Sequence, residues 1–129
     1  MTEGLWTGEW RSNITNIENH GAGTFLFADG VVHGGDTGYF YVGSYQKKGH
    51  ELQGEFHFQH YSGDPIGILG YATEGMLVFA GVILGNQMTI EMKLKDLPTV
   101  RLTGVLTKRM DLGENLQSSL AALDRLPPG

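Results

Sequence analysis

Asp29-Gly30 stands between two short apolar runs, Ala22 to Ala28 and Val31 to Gly35. Asp-Gly in that setting is a strong signal for a tight β-hairpin, because both central residues of a type I′ turn need positive φ. The surrounding segment, GAGTFLFADGVVHGGDTGYFYVGSY from Gly21 to Tyr45, continues in the same style, with apolar runs broken by single glycines. Twenty glycines occur in 129 residues, about twice the usual share. They are spread through apolar segments, where glycine marks turns, bulges and the bends that let a sheet close on itself.

Period-2 segments between turn signals predict about eight strands. They run from Gly4 to Ser12, Ala22 to Ala28, Val31 to Gly35, Gly38 to Gln46, Glu51 to Tyr61, Met76 to Leu84, Met88 to Leu94 and Thr99 to Arg109. Lys47-Lys48-Gly49 and Gly85-Asn86 read as turns, and Ser62 to Gly75 as a long connection. Eight sequential strands on short hairpins predict an all-β fold, an antiparallel up-and-down barrel over residues 1–110. Closure removes the exposed strand edges that promote aggregation. Residues 111–129 differ in kind. Asp111 suits an N-cap and Glu114 the capping-box position. Leu112, Leu116, Leu120, Leu123 and Leu126 follow at helical spacing, and Pro127-Pro128 ends the pattern. One amphipathic helix from about Leu112 to Leu126 is expected, docked on the barrel.

An eight-stranded barrel either fills its interior with side chains or holds one small ligand. Phe25, Phe27, Phe56, Phe58, Ile90, Met92 and Leu102 are the residues that would line such an apolar cavity; as strand residues they equally suit a plain core. Two strands are apolar on both faces. Phe40 and Val42 alternate with Tyr39, Tyr41 and Tyr45, while Val78 and Val82 alternate with Leu77, Phe79 and Ile83. The outward set, Phe40, Val42, Val78 and Val82, predicts a homodimer interface.

Several chemistries find no support. Net charge is −5, with lysine and arginine scattered; direct nucleic-acid binding would need a basic stripe. Without cysteine there is neither a disulfide nor a thiolate metal site. His57 and His60 are three apart in a strand and point to opposite faces, as do His33 and Asp36, so no metal centre is expected. Gly21-Ala22-Gly23 leads into a strand rather than a helix, which argues against a phosphate loop. No G-x-S-x-G occurs, and Glu9, Glu55, Glu74 and Glu91 have no spacing that forces a carboxylate pair. No catalytic role and no cofactor are expected. No apolar run reaches the roughly 18 residues of a membrane span, and the residues before the first strand do not read as a basic and apolar secretory leader, so none is expected. A cytoplasmic location is expected, in which the sequon Asn13-Ile14-Thr15 is a plain polar turn.

Gly21, Gly23, Asp29, Gly30, Val32, Gly34, Gly35 and Asp36, followed by Tyr41, Gly43 and Tyr45, form a pattern similar to the GrlR-like family of small bacterial negative regulators of type III secretion loci. The opening Gly4-Leu5-Trp6 fits as well. The likeness covers about Gly4 to Arg109, more strongly in the first sixty residues, and the terminal segment lies outside it. It implies a lipocalin-like eight-stranded barrel that forms homodimers and represses by binding a transcriptional activator rather than DNA. Gly34, Gly35 and Asp36 are its motif residues here. Family members from enteric bacteria carry acidic residues after the fourth strand as part of the partner contact; this chain has Lys47-Lys48-Gly49-His50 there. The expected function is a regulator that binds a protein partner, the alternative a carrier of a small apolar ligand.

Overall fold

The computed structural model describes residues 2–13, 20–63 and 72–111. The expected terminal helix and most of the 62–75 connection lie outside the described residues. Eight strands follow in chain order: β1 (Gly4–Ser12), β2 (His20–Ala28), β3 (Val31–Gly35), β4 (Tyr39–Lys48), β5 (Glu51–His60), β6 (Glu74–Leu84), β7 (Gln87–Leu94) and β8 (Arg101–Met110). Each pairs antiparallel with its sequence neighbours, and β8 returns to β1 to close the barrel. The described residues contain no helix.

Local chemistry explains the joints. Asp29 and Gly30 have φ of 51° and 79°, as the tight β2–β3 hairpin requires. Gly49 turns β4 into β5 with φ 64°, and Gly85 turns β6 into β7 with φ 65°. The β4–β5 turn starts two residues later than the sequence suggested. Lys47 and Lys48 belong to the strand, opposite Leu52 and Glu51, and the reversal falls on Gly49-His50. A tight turn with glycine in the left-handed region lets the ladder run two residues further than a Lys-Lys-Gly loop would allow. Two-residue extensions also occur at the starts of β2 and β6, where His20 pairs with Arg11 and Glu74 with Gln59.

The inward row of every strand forms one buried cluster, with Trp6, Phe27, Val32 and Phe58 completely enclosed. Its rings meet across the barrel as well as along it. Trp10 on β1 lies edge-on to Tyr41 on β4 at 6.3 Å, and Phe25 on β2 stacks over Phe56 on β5 at 5.9 Å. Phe56 in turn stacks on Phe79 at 4.8 Å.

Such large rings fit because inward positions beside them are glycine. A Cβ at Gly21 would come within 2.6 Å of Trp10 Nε1, and one at Gly23 within 2.8 Å of Trp10 Cη2. Phe25 occupies the space beside Gly34 in the same way, and Phe79 that beside Gly54. A Cβ at Gly43 would overlap the Glu55 carbonyl oxygen and lie 2.6 Å from Phe56 Cα, so there the backbone itself obstructs.

Gly43→Ala is therefore expected to lower stability by at least the ~1–3 kcal/mol of overpacked cores. Gly49→Ala adds a Cβ with no neighbour within 4 Å and should lose only the ~1–2 kcal/mol of a left-handed residue. Urea midpoints for the two variants measure the ranking; equal losses would refute it.

Candidate functional site

Three regions bear on function: the interior, the connection after β3 and the outer wall. Phe25, Phe27, Phe56, Phe58, Ile90, Met92 and Leu102 are brought together, each no more than 3% exposed, in the single buried cluster. The ring contacts between β1 and β4 and between β2 and β5 cross the middle of the barrel. Side chains occupy the space there.

The motif residues Gly34, Gly35 and Asp36 lie at the end of β3. Gly34 lets β3 approach Phe25 and the Thr24 carbonyl. Asp36 organises the turn into β4. Its Oδ1 accepts hydrogen bonds from the amides of Gly38 and Tyr39, both at 2.8 Å, and its Oδ2 accepts one from the Tyr41 hydroxyl. The Asp36 amide donates to the Tyr39 carbonyl at 2.9 Å. Tyr61, beyond β5, donates its hydroxyl to the Asp36 carbonyl at 2.5 Å, and the Tyr39 hydroxyl donates to the carbonyl of Ala72 at 2.6 Å. Both carboxylate oxygens are engaged, which makes Asp36 a structural pin rather than a free acid or base.

Burial raises the Tyr41 hydroxyl above its ordinary range, and its bond to the Asp36 carboxylate raises it further. Tyr39 is raised by burial and then by the Asp36 charge. Tyr45 is raised by burial as well, against a smaller opposing effect of its backbone bond to Gly30.

His60 faces inward beside the same turn, its ring 5.3 Å from Tyr39 and its Nε2 buried without a hydrogen-bond partner. His57 faces outward, 3.7 Å from Glu74. Among the described residues no group of three or more His, Asp or Glu is placed to hold a metal ion.

Outside, the pairing register assembles two rows that the sequence does not display. Met110, Leu5, Leu26, His33 and Val42 form the first, each opposite the next on adjacent strands. Leu5 and Leu26 are 37% exposed and Val42 and Met110 43%, with Val31 and Phe40 exposed on either side. The second row is Glu9, Val105, Thr89, Val82 and Glu51. An open depression of about 1550 Å³ follows it from Gly21 and Ala22 to Lys47 and Lys48.

The four residues expected to form a dimer interface are thereby divided. Phe40 and Val42 belong to the first row's wall, Val82 to the second, and half-buried Val78 sits beside Glu55. Between them β5 turns Glu51, Gln53, Glu55 and His57 outward, and Glu55 pairs with Lys95 at 3.3 Å. Sequence reasoning missed Leu5, Leu26, Val31, Val105 and Met110. Their outward positions followed from alternation, but their assembly depends on register between strands. No protein-family model matches the chain, and no curated protein matches it significantly.

The tyrosine environment fixes a pH dependence. Below the ordinary value of 10.0 both folded and unfolded chains keep the Tyr41 proton. Above it only the unfolded chain releases the proton readily, so stability falls as pH rises, by ~1.4 kcal/mol per pH unit for Tyr41. Urea midpoints between about pH 9 and pH 11 should decline, and Tyr41→Phe should make the decline shallower. An unchanged slope in that variant would show that Tyr41 titrates normally.

Proposed function

We propose that this chain is a GrlR-like regulatory barrel, lipocalin-like in build, that acts in the cytoplasm by binding a transcriptional activator through its outer wall. The observation that carries this reading is the location of unused apolar surface. Aromatic side chains meet across the centre of the barrel, while Val82, Val105, Leu84, Leu26, Val42 and others remain exposed outside. Exposed apolar side chains gathered in rows mark contact with another macromolecule more often than chance exposure does.

The proposal includes a homodimer, and a terminal helix over residues 112–126. The spacing of glycines and Asp36 described above supports the family reading, and the net charge of −5 supports a protein rather than a nucleic-acid partner. Lys48 opposite Glu51 gives the β4–β5 hairpin a different charge from the acidic run of the family, so the partner contact is assigned to the wall rather than to that hairpin.

A tagged full-length protein, captured from its native host, tests the reading through mass spectrometry of both bound proteins and extracted small molecules. Recovery of a DNA-binding activator, reduced at least tenfold by Val82→Asp, is expected. The isolated protein should give no saturable shift of DNA at physiological salt, and light scattering should show a dimer at micromolar concentration. A stoichiometric apolar molecule with no protein partner would instead establish a carrier.

A further inference from the structure

We infer that the segment after Asp111 folds back over the outer wall of its own barrel, with its leucines seated on the row Met110–Leu5–Leu26–His33–Val42. The inference rests on the terminal helix proposed above and is independent of the activator.

The chain leaves the barrel inside this row. Met110, the last residue of β8, is paired with Leu5 and is itself one of the exposed apolar side chains. Asp111 is held next to it by its ion pair with Lys108. The continuing chain therefore starts on the surface in question and needs no linker to reach it.

Dimensions agree. The row crosses from β8 through β1, β2 and β3 to β4, four interstrand spacings, or about 19 Å. A helix from Leu112 to Leu126 places its first and last leucines about 21 Å apart. Leu112, Leu116, Leu120, Leu123 and Leu126 then fall within one stripe about 120° wide, the width of a helix face buried on one side. Glu114, Asp124 and Arg125 fall outside that stripe.

Chemistry separates the two walls. The second row is interrupted by Glu9, Thr89 and Glu51, whose polar groups an apolar stripe would strip of water. Along the first row the one titratable side chain is His33, and Val31 and Phe40 widen it on both sides. A leucine stripe loses least and buries most on that wall.

The absence of native cysteine makes the test direct. In the full-length protein, Leu26→Cys is combined with Leu116→Cys, Leu120→Cys or Leu123→Cys, and Val82→Cys with the same three as the opposite-wall control. After oxidation in dilute solution, at least one Leu26 pair should give a disulfide within a single chain, at five times the yield of any Val82 pair or more. Equal yields on both walls, a Val82 preference, or disulfides that join two chains would overturn the inference, the last by making a second copy the occupant.

A single-cysteine measurement covers the case in which a double variant folds poorly. Leu26→Cys should react with a thiol reagent at least tenfold faster once Leu116→Asp and Leu123→Asp are added, while Val82→Cys should react equally in both backgrounds. Equal rates for Leu26→Cys would also overturn it. Far-UV circular dichroism of Leu120→Pro reports separately on the helix. An unchanged helical signal there refutes the helix itself, whereas a lost signal with no Leu26 cross-link refutes only its seat.

Discussion

Large aromatic rings packed against inward glycines are the constraint on which the rest of this barrel depends. An eight-stranded barrel has room for about one layer of side chains from each side. Trp10 alone extends over Gly21 and Gly23 and past Gly8 and Gly104. A methyl group at Gly21 or Gly23 would displace the indole, and the indole is what reaches Phe25 at 5.6 Å and Tyr41 at 6.3 Å. The glycine count that first suggests tight turns therefore has a second cause. Turns account for Gly30, Gly49 and Gly85, with φ of 79°, 64° and 65°. Gly8, Gly23, Gly34, Gly43, Gly54 and Gly104 are set within strands, where each makes space for a neighbouring ring, side chain or backbone.

This division of space separates the core from the exposed apolar surface. The inner face carries the close packing, and its ring contacts and buried aliphatics complete one core. The outer face then has apolar residues that add nothing to that core. Leu5, Leu26, Val42, Val82 and Val105 are each 37–45% exposed. Grouped in rows, they form apolar surface of the kind that marks a contact site when it is contiguous. The two rows differ in chemistry: one is apolar but for His33 and adjacent to the chain's own exit from β8, the other is mixed with carboxylates.

Much of the barrel was legible in the sequence because period-2 alternation is a local property. Val100, Leu102, Gly104 and Leu106 against Arg101, Thr103 and Thr107 required no knowledge of any other strand. Asp29-Gly30 likewise specified its hairpin from two residues. The β4–β5 turn was misplaced because Lys47 and Lys48 resemble a polar loop, whereas the ladder continues through them to Gly49. Interstrand register was the part that could not be read. It depends on every turn length and on the irregularity between Leu5 and Trp6, where the β1–β8 pairing shifts. Hence each of Phe40, Val42, Val78 and Val82 could be assigned to a strand and a side, but their division between two walls could not be foreseen. Asp36 follows Gly-Gly at the end of β3, and its carboxylate accepts from the turn amides of Gly38 and Tyr39.

The residues that carry the family likeness turn out to have architectural duties. Gly34 admits Phe25, Gly43 admits the backbone of β5, Asp29-Gly30 forms a hairpin, and Asp36 ties the β3–β4 turn to Tyr41. A motif made of such positions transmits a fold far more strictly than it transmits a partner. Each of these residues answers to backbone approach or turn geometry, which any barrel of this register must satisfy. The outer wall has no comparable obligation, because a substitution at Val82 or Val105 leaves the ladder and the core intact. In a barrel whose centre is filled, the apolar surface left over lies in the outward rows, and the inward pattern indicates only how firmly those rows are held in register.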